Sequence, residues 1–420
     1  MKYYRVTGIL ESPLVVRRER QSQRSEGVRY ISGTLVRGAL AQAYLQEYGQ
    51  PDACFAALFL NEEGCRFGPL DPGEHVFPRT AYSCKREGGF HADGKHGVVD
   101  TLATLVSSVF HGKPPTILRC PHSGCAADLK PMEGFWEYCH GQPATAHRRW
   151  RRSSATHVGI DRITHTAAEG MLFSLPTMEP DAMEQGPPGL VGWLAATDEA
   201  ARDLQRLLAV TRGIVRVGHA RTRGYGRVRL ELASHDTSDP EGGSPAATSD
   251  GTQRWMKQSR DLLDRLRLPQ LDPDRDFLFT LSLPCGAVLV DQLLRYTLDP
   301  AGMAEWLPPL PPPDPAVAVE DHPAVSCAGG KLRCVTAVAQ HERLRGWNAA
   351  HGLPRRDEWA VMRGAVYAYW YRGGDEGRAE LSERLMQLEQ AGLGARRNEG
   401  FGRVVVGDDF HLRFACELQP

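Results

Sequence analysis

"RTRGYGRVRLEL", residues 221–232, reads at first as a phosphate-cradling glycine loop, and "ARRNEGFGRVVV", residues 395–406, repeats it near the C-terminus. Gly218, Arg221, Gly224, Tyr225, Gly226, Arg227 and Val228 match Gly394, Arg397, Gly400, Phe401, Gly402, Arg403 and Val404 at identical spacing. Each copy follows the last helix of its unit and precedes its last strand. A dinucleotide fingerprint follows a strand and opens a helix, and its third glycine is replaced here by Arg229. A Walker loop would need Gly-Lys-Ser or Gly-Lys-Thr, which the chain lacks. Repetition of one loop in one setting points instead to a duplicated domain.

Working outward, Tyr4, Val6 and Leu10 mark one face of an opening strand. Ser32 then precedes a helix that carries Val36, Leu40, Ala43 and Tyr44 on one side. "MLFSL" and "LVGWLA" read as short strands, Asp198 to Thr211 as a helix with Leu204, Leu207 and Leu208 inward, and "RVRLEL" as the closing strand. The second half repeats this grammar with "DFLFTLSL", "AVYAYWY", the helix "DEGRAELSERLMQLEQAG" and "RVVV". "LVDQLLRYTL", residues 289–298, is the one candidate for a second-half counterpart of the first helix. The pattern is α+β, with two ferredoxin-like (RRM-like) domains over residues 1–233 and 253–420. Residues 234–252, rich in Ser, Gly, Pro and Asp, are a linker, and the proline-rich stretch 307–323 is an extended excursion.

The 420 residues hold 50 Lys and Arg against 51 Asp and Glu, so no global field advertises nucleic acid or a membrane. Basic character is local, at Val15 to Arg24 and His147 to Ser154. Polar residues interrupt the first ten positions and no uncharged run would span a bilayer, so a cytoplasmic protein without a membrane partner is expected. Ten cysteines in that setting suggest reduced thiols or a metal site.

Glycines let backbone N–H groups approach phosphate, flanking arginines add bidentate charge, and an aromatic between glycines can stack on an unpaired base. Arg221, Arg223, Gly224, Tyr225, Gly226 and Arg227 are therefore candidate single-stranded RNA ligands, as are Arg397, Gly400, Phe401, Gly402 and Arg403. A glycine turn whose aromatic tucks into the core is the structural alternative. Ser32 and Arg37, at a helix N-terminus, could take a further phosphate. His157 and Arg162 in "THVGIDRITHT" could line a nucleic-acid face, although Asp161 and Arg162 also read as a charge pair.

These loops resemble the glycine loop of the repeat-associated mysterious protein (RAMP) superfamily, the RNA-binding subunits of CRISPR effector complexes. "YISGTLVRGALA", residues 30–41, is similar to that family's helix-opening signature, with Ser32 where proline is common. "HVGIDRITHTAAEGMLFSL", 157–175, is similar to the segment leading into its thumb hairpin. "LRGWNAAHGLPRRDEWAVMRGAVYAYWY", 344–371, resembles the second domain of two-domain subunits that cap the guide's 5′ end. The combination is most similar to the Csx-ten group of type III-D, in a Cas-five-like role. The resemblance implies guide RNA (crRNA), target RNA through the guide, Cas-seven-like backbone subunits and a large Cas-ten-like subunit as partners.

Cys120 and Cys125 flank a Pro and a Gly in "CPHSGC", as the sharp turn between two zinc-bound thiolates requires. Cys84 is the third expected ligand and His96 the fourth, with Cys139 as its rival and His91 also available. Zinc would hold an insertion over residues 80–150 that has little periodic core of its own. Cys54, Cys65, Cys285, Cys327, Cys334 and Cys416 read as ordinary thiols.

Target-cleaving members of the family use an aspartate between the first strand and first helix. That loop contains no Asp here, and Glu19 and Glu26 stand among arginines. A non-catalytic role is expected; a guide-processing endoribonuclease using His157, His165 or His219 is the alternative.

Overall fold

The computed structural model describes residues 1–16, 30–90, 96–113, 119–122, 124–125, 127–139, 141–145, 152–180, 189–234, 250–314, 317–327, 329–348 and 351–415. The protein is a mixed α/β structure with several antiparallel sheets. The first five-stranded sheet runs Ile214–Arg216, Arg227–Ser234, Lys2–Leu10, Leu190–Ala196 and Cys65–Asp71. Its opening strand pairs antiparallel with both neighbours, Val6 facing Gly192 on one side and Leu232 on the other. Alternation along that strand buries Val6 and Leu10 against Val36, Leu40, Leu204 and Leu207 of two helices, Gly33–Tyr48 and Asp198–Val210. The second helix starts where the Thr197 hydroxyl accepts the Ala200 N–H, with Asp198 and Glu199 against the positive end of its dipole.

The second five-stranded sheet runs Ala324–Cys327, Gly330–Val338, Ala365–Arg372, Asp276–Leu283 and Val405–Val406. In both sheets the opening strand lies between the closing strand and the third, and the second strand lies outside the third. The halves differ after the opening strand. Residues 289–298 form a turn rather than a helix, because the Asp291 carboxylate captures the N–H groups of Leu293 and Arg295, both at 2.9 Å. Leu293 and Leu294 consequently face solvent.

The missing layer comes from elsewhere in the chain. Helix Asp250–Leu266 begins inside the expected linker; residues 235–249 of that linker lie outside the described residues. It buries Leu262, Leu263 and Leu266 with Leu102 and Val106 of the insertion helix Leu102–Phe110, against Leu278, Val366, Ala368 and Trp370. Phe277, Phe279, Leu281, Tyr367, Tyr369 and Tyr371 point to the opposite face, toward Leu381, Leu385 and Leu388 of helix Asp375–Ala391. A strand covered on both faces reads as an unbroken apolar run, which explains "AVYAYWY".

The insertion therefore shares its core with the C-terminal half. Phe77, Ala81, Val98 and Trp136 pack with Phe410. The buried Asp100 carboxylate meets His411 Nδ1 at 2.9 Å, and Ser282 Oγ lies 3.3 Å from His411 Nε2. Segment 157–175 is itself part of a hairpin, Arg152–Ile160 with Ala167–Met178, so "MLFSL" lies within the longer strand. Asp161 shapes the hairpin turn by accepting the N–H groups of Ile163 and Thr164 at 2.7 and 2.9 Å. Among the described residues no helix is long and apolar enough to cross a membrane.

Candidate nucleic-acid interface and metal cluster

The two glycine loops have one backbone. Each is a single 3₁₀ turn, Arg221–Arg223 or Arg397–Glu399, entered through a left-handed residue (Ala220, Arg396) and left through a left-handed glycine (Gly224, Gly400). Their surroundings differ. A Cβ placed on Gly224 would meet nothing within 4 Å, whereas one on Gly400 would lie 2.3 Å from the Phe67 carbonyl oxygen. Loop one is open, and loop two is pressed against the first half.

At the open loop, Arg221 to Gly224 are exposed and Tyr225 is half-buried. The Tyr225 hydroxyl lies 3.1 Å from His157 Nε2 on the hairpin. His157 stacks on Phe173, directly opposite it in register, with ring centroids 5.5 Å apart. The Arg223 guanidinium stands 5.1 Å above the same Phe173 ring. Three expected residues, His157, Arg223 and Tyr225, thus converge with Phe173, which the sequence marks only as one position of the short strand "MLFSL". Arg221 pairs with Gln42 of the first helix. Arg227 binds Glu11 at 2.6 Å and completes the loop's rim. Arg162 is exposed in the hairpin turn, away from the cluster. His165 shares that turn, and the His219 N–H donates to the Val15 carbonyl at 2.9 Å.

At the buried loop the expected phosphate ligands are already engaged. Glu399, 7% exposed at its side chain, accepts from the Thr34 hydroxyl at 2.8 Å, from Arg37 at 3.1 Å and from Arg355 at 3.0 Å, and it pairs with Arg396. Burial opposes ionisation of this carboxyl, but Arg396, Arg355 and the Thr34 hydroxyl outweigh it and hold the pKa at about 2. The anion near the first helix's N-terminus is therefore the chain's own glutamate. Ser32 begins that helix without a side-chain cap, and Gly33 is wedged where a Cβ would lie 2.0 Å from the Phe67 oxygen and 2.4 Å from the Glu399 oxygen. Arg397 donates to Glu62 at 3.0 Å and to the Ala391 carbonyl, Arg396 lies over Phe401, and Arg403 lies over Tyr3 and Trp193. Gly402 is buried within the turn. Loop two and its arginines join the halves, assisted by a buried ion pair between Asp71 and Arg363 at 2.6 Å. The signal was present in the sequence: Glu399 aligns with Arg223, a reversal of charge at equivalent positions.

Cys84, His96, Cys120 and Cys125 come together with their ligand atoms all within 4.8 Å of one another. Cys84 Sγ is 3.7 Å from Cys125 Sγ, and His96 Nδ1 is 3.0 Å from Cys120 Sγ. Tetrahedral coordination with metal–sulfur bonds of about 2.3 Å sets sulfurs roughly 3.8 Å apart, so the donor set fits such an ion. Strand pairing delivers these residues. Cys84 pairs with Leu129, the Cys120 N–H donates to Ala127, and the Cys125 N–H donates to His122 across the turn. His96 Nε2 also faces Glu87 at 3.3 Å, an outer carboxylate that fixes the ring. Burial opposes a thiolate at Cys84, yet N–H groups of Glu87 and Arg86 and the Cys125 thiol hold its pKa below the ordinary value. Burial pushes Cys120 up to about 11.

The Cys139 side chain, His91, Glu19, Glu26 and Cys416 lie outside the described residues. Cys65, Cys285, Cys327 and Cys334 are buried thiols and Cys54 is half-buried.

The two sheets share the order closing, opening, third and second strand, add their fifth strand on opposite edges, and each close through the same glycine turn, so the two halves repeat one α/β arrangement. The family model of the RAMP superfamily matches residues 9–229, and the chain belongs to that superfamily. No curated protein matches the chain. Among solved structures, it is similar to a chain of the type III-B Cmr-beta complex bound to cognate target RNA, at 11% identity and TM-score 0.34. That match covers 87% of this chain and 86% of the other. A chain of a type IV-B CRISPR complex matches at 16% identity and TM-score 0.25, over 60% of this chain and 98% of the other. Oligomeric Cmr4 from Pyrococcus furiosus matches at 11% identity and TM-score 0.24, over 55% and 98%.

Proposed function

We propose that this RAMP protein is a non-catalytic guide-RNA-binding subunit of a type III CRISPR effector, with two ferredoxin-like domains. On the sequence stretches at 30–41, 157–175 and 344–371 it would belong with the Csx-ten group of type III-D, in a Cas-five-like role. The carrying observation is the convergence of Tyr225 and Arg223 from the open glycine loop with His157 and Phe173 from the hairpin. Aromatic rings supply base stacking, and Arg221 and Arg223 supply phosphate charge at an exposed turn. On this reading the guide's 5′ region runs across the first half. Backbone and large subunits would dock on other faces, in the cytoplasm. Cys84, His96, Cys120 and Cys125 would hold zinc; four protein ligands close its coordination, so the ion supplies folding energy to the insertion.

Two points favour holding over cutting. Among the described residues, His157 is engaged by Tyr225 and Phe173 rather than by an orienting carboxylate, and Glu19 and Glu26 have arginine neighbours in the sequence. Tyr225→Ala should weaken binding of labelled oligouridine about tenfold, the scale of one lost base stack. Arg223→Ala should also lower the salt dependence by about one ion. Unchanged isotherms in both variants would defeat the proposal. Discrete cleavage of repeat RNA that His157→Ala abolishes would favour an endoribonuclease instead.

A further inference from the structure

Each half carries a hairpin at the same topological place, between the second and third strands of its sheet. In the first half it is Arg152–Ile160 with Ala167–Met178; in the second it is His341–Leu344 with Glu358–Val361. The second hairpin repeats the first one's chemistry. His157 stacks on Phe173 across the first, and His341 meets Trp359 edge-on across the second, with centroids 6.0 Å apart. Arg343 lies directly opposite Trp359. Strand alternation exposes His341 and Arg343 on one face, and Arg345 beyond them is exposed too, while Glu342 and Leu344 between them are half-buried. Trp359 is 46% and Trp347 43% exposed, unusual for the largest apolar side chain. Asp357 pairs with Arg343 and lies 3.8 Å from Arg345, so a phosphate at Arg343 would take the place that Asp357 holds.

The hairpin is also tied to the clasp. Arg355, three residues before its returning strand, reaches Glu399, which meets the first helix at Thr34; the open loop touches the same helix at Gln42. Eight helical residues separate those points by about 12 Å, a span one bound strand can bridge.

We infer that the exposed face of the second hairpin is a second site for single-stranded RNA, where a base stacks on Trp359 and a phosphate pairs with Arg343. The ligand class rests on the function proposed above; the site does not. The C-terminal half thus meets RNA through its hairpin, while its glycine loop serves as an internal clasp.

The test uses the full chain, labelled oligouridine, salt titration and ultraviolet cross-linking mapped by mass spectrometry. The Arg343→Ala/Trp359→Ala double variant should lose affinity about tenfold and about one ion of salt dependence. Trp359→Phe should keep most of the affinity, and Tyr225→Ala should still cross-link through Trp359. If the double variant binds as the parent does while Tyr225→Ala binds weakly, the second site is wrong and the first stands. If every variant binds as the parent does, both fall. A double variant that keeps RNA but loses a copurifying subunit would make the hairpin a protein-docking surface and overturn the inference.

Discussion

Glu399→Ala should lower the stability of the protein by about 3–4 kcal/mol, read as a shift of the urea midpoint without loss of secondary structure. The substitution leaves Arg37, Arg355 and Arg396 facing one another where a carboxylate stood. Removing one partner of a buried ion pair typically costs about 3–5 kcal/mol. Arg396 keeps Glu358 and Arg37 keeps the Phe59 carbonyl, which places the cost at the lower end. Lowering the carboxyl from 4.5 to about 2 corresponds to roughly 3 kcal/mol by linkage. The sign follows from the depressed value. This stability is fully present above about pH 4.5 and is lost as pH falls toward 2. Glu399→Gln, which keeps shape without charge, should flatten that acid limb in pH-dependent urea melts. A Glu399→Ala protein with the parent's midpoint would show that loop two does not clasp the halves.

Removing the proposed zinc should destabilise the insertion, which packs against the C-terminal half. The insertion supplies Leu102 and Val106 to the core beneath the second sheet, and Phe77 and Trp136 to the one around Phe410. Among the described residues, its own cluster around Cys84 and Cys120 includes only Val99 and Leu129 as buried aliphatic residues. A zinc ion at that cluster would contribute much of the local folding energy, and binding free energies of about 10–16 kcal/mol for isolated zinc-finger peptides bound what it could supply. Metal analysis should find about one zinc per chain. Cys120→Ser or a strong chelator should remove it, lower the melting temperature and open residues 84–139 to protease before the rest of the chain. A zinc-free parent protein that melts normally would refute the assignment.

What the sequence disclosed follows from how local each signal is. The glycine repeat revealed both closing turns, down to their left-handed positions, because glycine spacing is dictated by the turn itself. Period and polarity located both sheets. Helix Asp250–Leu266 escaped notice because its first residues belong to a stretch with linker composition and its apolar positions serve a distant strand. The role of loop two escaped for a similar reason. Equivalent spacing says nothing about what packs on a loop, and only the exchange of Arg223 for Glu399 marked the change from an exposed arginine to an internal anion. At the metal cluster, the Cys120–Cys125 turn was legible from its Pro and Gly. Cys84 and His96 join it only through antiparallel pairing, so no spacing rule specifies them.

Two loops with the same backbone would divide the labour: loop one would grip RNA, while loop two joins the halves. Oligouridine binding by Arg223→Ala and Arg397→Ala, measured side by side across a salt titration, tests it most directly. The account predicts that Arg223→Ala loses about tenfold in affinity and about one ion of salt dependence, while Arg397→Ala, whose guanidinium already holds Glu62, binds RNA as the parent does. Equal losses in the two variants, or a loss confined to Arg397→Ala, would contradict it.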